Sequence, residues 1–186
     1  ICSKLTQYII PNSVTKIGKS AFNMCSSLKQ VSISTSVIEI KEMAFGFCES
    51  LKNITIPSSV KLIDKFAFYH CSLLTQISFE IPSSLISLGE SAFNYCKSLY
   101  QISIPSSLMS IEENIFYECS SLSQIFFEIP SSVASIGESA FYNCISLKNV
   151  SIPSSVAKID VDAFCFCESL EQVTIPSSII EIGKSA

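Results

Sequence analysis

Nine cysteines and a single histidine are the residues of this 186-residue chain whose chemistry could carry metal binding, disulfide formation or nucleophilic catalysis. His70-Cys71 and Cys165-Phe166-Cys167 are the two local clusters, and neither has a second half at zinc-site spacing. No metal or other cofactor is expected. A Ser-His-Asp or Cys-His arrangement would need His70 as its base, and most serines fall in repeated turns that turn chemistry explains. The five glycines fall singly, so a phosphate-cradling loop is absent. No catalytic constellation is written here, and the chain is not expected to be an enzyme.

The cysteines mark a period instead. Those at 2, 25, 48, 71, 96, 119, 144 and 167 are spaced 23, 23, 23, 25, 23, 25 and 23 residues apart. The unit between them reads I-P-S-S-V-x-x-I-G-x-S-A-F-x-x-C-x-S-L-x-x-I-x, and repeats of this length signal a solenoid. In "LKNVSI", Leu147, Val150 and Ile152 point one way and Asn149 and Ser151 the other, which is a short strand with one buried face. Pro-Ser-Ser ends it, because proline has no N–H to continue a ladder and serine favours turns. Val156 and Ile159 return to the core. The next column holds Gly18, Lys41, Asp64, Gly89, Glu112, Gly137, Asp160 and Gly183. A strict positive-φ site would not accept Lys or Glu, so this column is read as the start of a helical turn. Ala140, Phe141 and Cys144 then share one face of that turn at i, i+1 and i+4.

One such unit cannot bury its own apolar face; stacked neighbours can, with like residues in ladders about 4.8 Å apart. Two repeats carry two extra residues at the strand end, Glu80-Ile81 and Glu128-Ile129. An insertion of two preserves the in/out alternation that an insertion of one would invert. Residues 1–186 read as a single array of about eight coils, cut at both ends, with end-to-end self-association expected of its uncapped coils.

The pattern "SLxxIxIPSSVxxIGxSAFxxC" resembles the BspA-like leucine-rich repeats, found in surface proteins of bacteria and mucosal protists. The likeness covers essentially all of 2–186; Ser34-Thr35-Ser36 in place of Pro-Ser-Ser and Ile115 in place of the usual alanine depart from it. It implies an α/β solenoid: a right-handed leucine-rich-repeat horseshoe with a parallel sheet on the concave face and short helical turns on the convex face. It also implies a cell-surface or extracellular adhesin that binds a host protein. The alternative is an intracellular leucine-rich-repeat scaffold or inhibitor of the same architecture. Composition narrows the partner further. Net charge is −4 and all twelve cationic residues are lysines, so nucleic acid, which is read by basic patches and bidentate arginine, is excluded. No apolar run is long enough to span a membrane.

Disulfides between neighbouring coils fit the Cα spacing that a bridge needs. A column of equivalent cysteines, however, does not define pairs, and ladder side chains lie alongside one another. Cys25, Cys48, Cys71, Cys96, Cys119, Cys144 and Cys167 are therefore expected to be reduced, buried thiols. Cys165, outside the column, is expected to be the least protected.

Two outward strand columns bear on function. Gln7, Gln30, Asn53, Gln76, Gln101, Gln124, Asn149 and Gln172 form an amide column whose members could hydrogen-bond from coil to coil. Its neighbour is Ser32, Thr55, Ser78, Ser103, Phe126, Ser151 and Thr174, with one phenylalanine among hydroxyls. Phe126, with Tyr100, Gln101, Gln124 and Asn149 around it, is the candidate protein-binding site, since an exposed aromatic among adaptable polar groups has the composition of an interface hot spot. A local bulge that packs Phe126 inward is the competing reading. Two sequons, at Asn53 and Asn149, lie on the same face and are read as by-products of the repeat. The aromatics before each cysteine (Phe47, Tyr69, Tyr95, Tyr117, Tyr142, Phe166) are read as half-buried shielding on the opposite side.

Overall fold

The alternation of buried and outward residues yields strands only two to four residues long, because each is cut short by Pro-Ser-Ser or by the next turn. The computed structural model describes residues 2–186. Sixteen strands, β1 to β16, alternate between two sides of the molecule. The longer, odd-numbered ones are β1 (Gln7–Ile9), β3 (Gln30–Ser32), β5 (Asn53–Ile56), β7 (Gln76–Phe79), β9 (Gln101–Ile104), β11 (Gln124–Phe127), β13 (Asn149–Ser151) and β15 (Gln172–Thr174). The even-numbered ones are two-residue strands: β2 (Lys16–Ile17), β4 (Glu39–Ile40), β6 (Leu62–Ile63), β8 (Ser87–Leu88), β10 (Ser110–Ile111), β12 (Ser135–Ile136), β14 (Lys158–Ile159) and β16 (Glu181–Ile182). Every pairing is parallel and joins consecutive coils: β1 with β3 and a six-stranded sheet from β5 to β15 on one side, β2 to β8 and β10 to β16 on the other. The result is a parallel β-solenoid of about eight coils.

The core is a set of ladders. Phe45, Phe68, Phe93, Phe116 and Phe141 are fully buried, and with Phe22 and Phe164 they stack at centroid distances of 5.2 to 5.7 Å. The widest step, 5.7 Å between Phe93 and Phe116, falls beside Ile115, which occupies the alanine column and is itself fully buried. Val156 and Ile159 are buried as expected, as are Leu147, Val150 and Ile152. In three Pro-Ser-Ser turns the second serine donates its hydroxyl to the preceding coil: Ser59 to the Val37 carbonyl (2.7 Å), Ser107 to Leu85 (2.6 Å) and Ser178 to Val156 (2.7 Å).

The expected helical turns are not formed; there is no helix among the described residues. Consecutive β-turns replace them. In the fourth coil the carbonyls of Gly89, Ser91 and Phe93 accept from the N–H groups of Ala92, Asn94 and Cys96. The intervening N–H groups, of Ser91, Phe93 and Tyr95, leave the coil and donate to the carbonyls of Glu113, Ile115 and Tyr117 in the next one (3.0, 3.0 and 2.9 Å). The same one-way pattern recurs from Ser20, Phe22 and Met24 to Asp162. Left-handed residues make it: φ is 56° at Ser91 and 60° at Tyr95, and equivalent positions hold Met24, Phe66, His70, Glu118 and Phe166. Alternating the hand of the backbone prevents a helix from propagating. The glycine column itself has no positive φ. At Gly89 a Cβ would meet the Lys65 backbone nitrogen at 2.5 Å, so close approach of the preceding coil favours glycine there.

The cysteine column completes the turns. From Cys48 onward each thiol of the column donates to the carbonyl of the phenylalanine in the coil before: Cys48 to Phe22 (3.1 Å), Cys71 to Phe45 (3.1 Å), Cys96 to Phe68 (3.2 Å), Cys119 to Phe93 (3.2 Å), Cys144 to Phe116 (3.2 Å) and Cys167 to Phe141 (3.1 Å). All described cysteines are free. Burial pushes the thiols of Cys48 and Cys167 up to about 12, and those of Cys71, Cys96, Cys119 and Cys144 well above the ordinary range. Cys165 is not the least protected thiol: Cys2 is exposed, whereas Cys165 and Cys167 are half-buried.

Two outcomes are expected. A thiol reagent should label Cys2 first and Cys165 more slowly, with Cys25 to Cys144 reacting only on unfolding. Above the ordinary thiol value of 9.0 the unfolded chain loses protons that the folded chain keeps. Stability, full below that pH, should fall by about 1.4 kcal/mol per pH unit for each buried thiol until the folded thiols ionise. Melting temperatures between neutral and strongly alkaline pH check this, with a shallower slope for Cys96→Ala; a flat profile contradicts it.

Candidate functional site

The long-strand face is built by register. Gln101, Gln124 and Asn149 stand side by side in paired strands, and Ser103 pairs with Phe126 and Ser151 with Thr174. Each strand sends its even-spaced residues into the core, so these amides and hydroxyls must face outward. Ile125 is buried and Phe127 packs against the core, whereas Phe126 between them is 50 % exposed. Phe126 is therefore not a packing residue. Tyr100, one coil earlier, is 55 % exposed.

An open depression of about 950 Å³ collects four of the five candidate residues: Tyr100, Gln124, Phe126 and Asn149 line it, with Lys148 and Ser151. Gln101 lies in a smaller neighbouring hollow of about 170 Å³ that Phe126 also borders. Phe126 is thus the ridge between the two. The amide column does not bond as a ladder. Gln76 Nε2 donates to Ser78 Oγ within its own strand (3.3 Å), and Asn53 Oδ1 accepts from Thr75 Oγ1 (3.1 Å). Among the described residues no two amides of this column bond to each other. Stacking places the backbones in register but leaves the side-chain amides free to turn toward water.

The two-residue inserts form the rim of these hollows, which the repeat pattern alone did not reveal. Glu128 extends its strand by donating its N–H to the Ile104 carbonyl (3.0 Å), and its Oε2 accepts from the Ser106 N–H (3.0 Å) in the preceding coil. Glu80 does the same with the Ile56 carbonyl and the Ser58 N–H (2.9 and 3.1 Å). The isoleucine that follows is then pushed outward: Ile81 is 79 % and Ile129 90 % exposed. Ile129 borders the large depression and Ile81 the small one. The readable signal was the pairing of one acidic and one apolar residue in both inserts.

His70 sits on the opposite, turn side, its ring 5.2 Å from that of Phe47 and 5.7 Å from that of Tyr95, and its Nδ1 is buried without a hydrogen-bond partner. The aromatics there, Phe47, Tyr69, Tyr95, Tyr117 and Tyr142, are half-buried and in ring-to-ring contact, whereas Phe166, expected to be half-buried with them, is exposed and meets Tyr142 only by its edge. Among the described residues no three His, Cys, Asp or Glu side chains converge as metal ligands. No helix among them is long and apolar enough to cross a membrane.

Short parallel strands stacked coil on coil over a phenylalanine ladder define a leucine-rich-repeat solenoid. The family model described as BspA type leucine rich repeat region matches residues 1–80 and 78–186, and the chain belongs to that family. A leucine-rich repeat protein of T. pallidum is similar at 26 % identity over 97 % of this chain and 74 % of that one, with a TM-score of 0.67. A leucine rich cell surface protein of Faecalibacterium prausnitzii is similar at 27 % identity over 100 % of this chain and 61 % of that one, with a TM-score of 0.52. The pneumococcal vaccine antigen PcpA shares the fold at 22 % identity, over 97 % of this chain and 55 % of its own, with a TM-score of 0.55. Comparison with curated protein sequences gave no match. Repeat folds of this family are generally non-catalytic.

Because Phe126 stands in a column otherwise filled by hydroxyls, Phe126→Ser should leave the melting temperature nearly unchanged. Phe93→Ala, in the buried stack, should cost about 3–5 kcal/mol. Thermal unfolding of the two variants checks this, and a large loss for Phe126→Ser would return Phe126 to the core.

Proposed function

We propose that this chain is a non-catalytic protein-binding module of a cell-surface recognition or adhesion protein, and that its ligand seats on the long-strand face around Phe126. The observation that carries the proposal is a half-exposed phenylalanine in a column of serine and threonine, at the ridge between two hollows. Interfaces concentrate their energy in a few such aromatic anchors surrounded by near-neutral polar contacts. Family membership and the description of the F. prausnitzii relative as a cell surface protein support the address. A host extracellular protein is the partner class this implies.

Binding to immobilised serum and extracellular-matrix proteins tests the proposal, with the chain compared to Phe126→Ser and to Thr55→Ala farther along the face. Loss of an anchor should weaken the interaction by roughly 2 kcal/mol or more for Phe126→Ser. Thr55→Ala should bind as the parent does. Equal binding by all three moves the ligand to another surface.

A further inference from the structure

The aromatic side chains of this protein are almost all accounted for by one another. Seven phenylalanines form the core stack, Tyr8 caps it against Phe22, and the turn-side rings contact their neighbours. Phe79 and Phe127 pack against the core. Tyr100 and Phe126 remain: among the described residues they are the aromatic side chains that neither join the core nor meet another ring. Both line the same depression. Two free aromatic faces at one hollow are platforms for a ligand that presents flat apolar surfaces of its own.

The floor between them is mixed: Ile129, Ile152 and Pro153 stand beside amides and hydroxyls. Among the described residues the amides of Gln124 and Asn149 make no side-chain hydrogen bond, and neither does the hydroxyl of Ser151. Each amide offers two donors and an acceptor, and each hydroxyl offers both functions. The lining holds one charged group, Lys148. The ligand that matches this set is uncharged, rich in groups that donate and accept, and has apolar C–H faces: a neutral oligosaccharide. A peptide fits less well. The backbone groups of the middle strands are consumed by adjacent coils, so strand addition, the main-chain route by which an extended peptide gains affinity, has no edge there.

We propose that this depression binds a neutral glycan carried by the protein partner, with Tyr100 and Phe126 stacking on sugar rings and Gln124 and Asn149 bonding their hydroxyls. The proposal rests on the protein-binding reading of the same face and specifies which part of the partner is held. A volume of about 950 Å³ lies within the range of small-ligand sites, enough for a short oligosaccharide.

The test uses arrays of neutral and sialylated oligosaccharides together with serum glycoproteins, native and enzymatically deglycosylated, probed with the chain, Phe126→Ser and Tyr100→Ser. Neutral oligosaccharides should bind, each variant should lose roughly tenfold or more, and deglycosylation should remove glycoprotein binding. A preference for sialylated over neutral glycans would overturn the assignment of an uncharged ligand. Failure of every oligosaccharide to bind would overturn the glycan proposal. If glycoproteins bind equally before and after deglycosylation but Phe126→Ser abolishes binding, the protein-binding face stands and the glycan proposal falls. If binding ignores Phe126, both fall.

Discussion

A coil of this length cannot hide its phenylalanine by itself, and the carbonyl of that residue is where adjacent coils are joined. In the core coils each such oxygen accepts an N–H from the cysteine three residues on and a thiol from the following coil, as Phe68 does from Cys71 and Cys96. A cysteine suits this place because its thiol is a weak donor on a small apolar side chain, costing little to desolvate. A serine would add a stronger donor, at a greater desolvation cost. The ring stack, the coil spacing and the inward lean of alanine and leucine all follow from keeping that joint closed. Stability in such an array is a sum over coils and their contacts, so damage to one joint reaches both neighbours.

Much of this was legible in the chain. Strand positions such as Val150 and Ile152, the return of Val156 and Ile159 to the core, and the burial of the cysteine column followed from period and polarity alone. The turn face did not. A helical turn and a run of stacked β-turns both bring Ala140, Phe141 and Cys144 inward, and the feature that separates them is backbone hand. Left-handed positions here hold Ser, Asn, Asp, Glu, His, Met, Phe and Tyr rather than glycine, so no residue type announces them. The amide column was legible as a column but not as a set of free side chains, because register is a property of backbones and side-chain bonding is not. At the candidate site, Phe126 was visible as a broken column, whereas the outward thrust of Ile81 and Ile129 depends on how Glu80 and Glu128 grip the preceding coil.

That grip explains where the long-strand face differs from a plain repeat. The core columns tolerate little change, since each residue touches its counterparts above and below. The outward columns carry no such restraint. Substitution of one hydroxyl by phenylalanine, beside an insert that leaves core register untouched, turns a uniform sheet into a ridge with a hollow on either side. Irregularity on this face changes the surface without disturbing the core, while irregularity in the core, as at Ile115, is met by local accommodation.

The one-way bonding of the turn face has an electrical consequence. Peptide units such as those ending at Ser91, Phe93 and Tyr95 aim their N–H toward the following coil, and the alternate turn residues repeat this from Ser20 to Asp162. Their dipoles therefore add along the solenoid axis as they do along a helix, with the positive pole toward the later coils. Side-chain charge runs the complementary way. Lys16 and Lys19 stand in the first coil, while Glu112, Glu113, Glu118 and Glu138 gather in the fifth and sixth. A stack of near-identical units is thereby polarised from end to end, and an ion approaching the turn face meets a different potential at each coil.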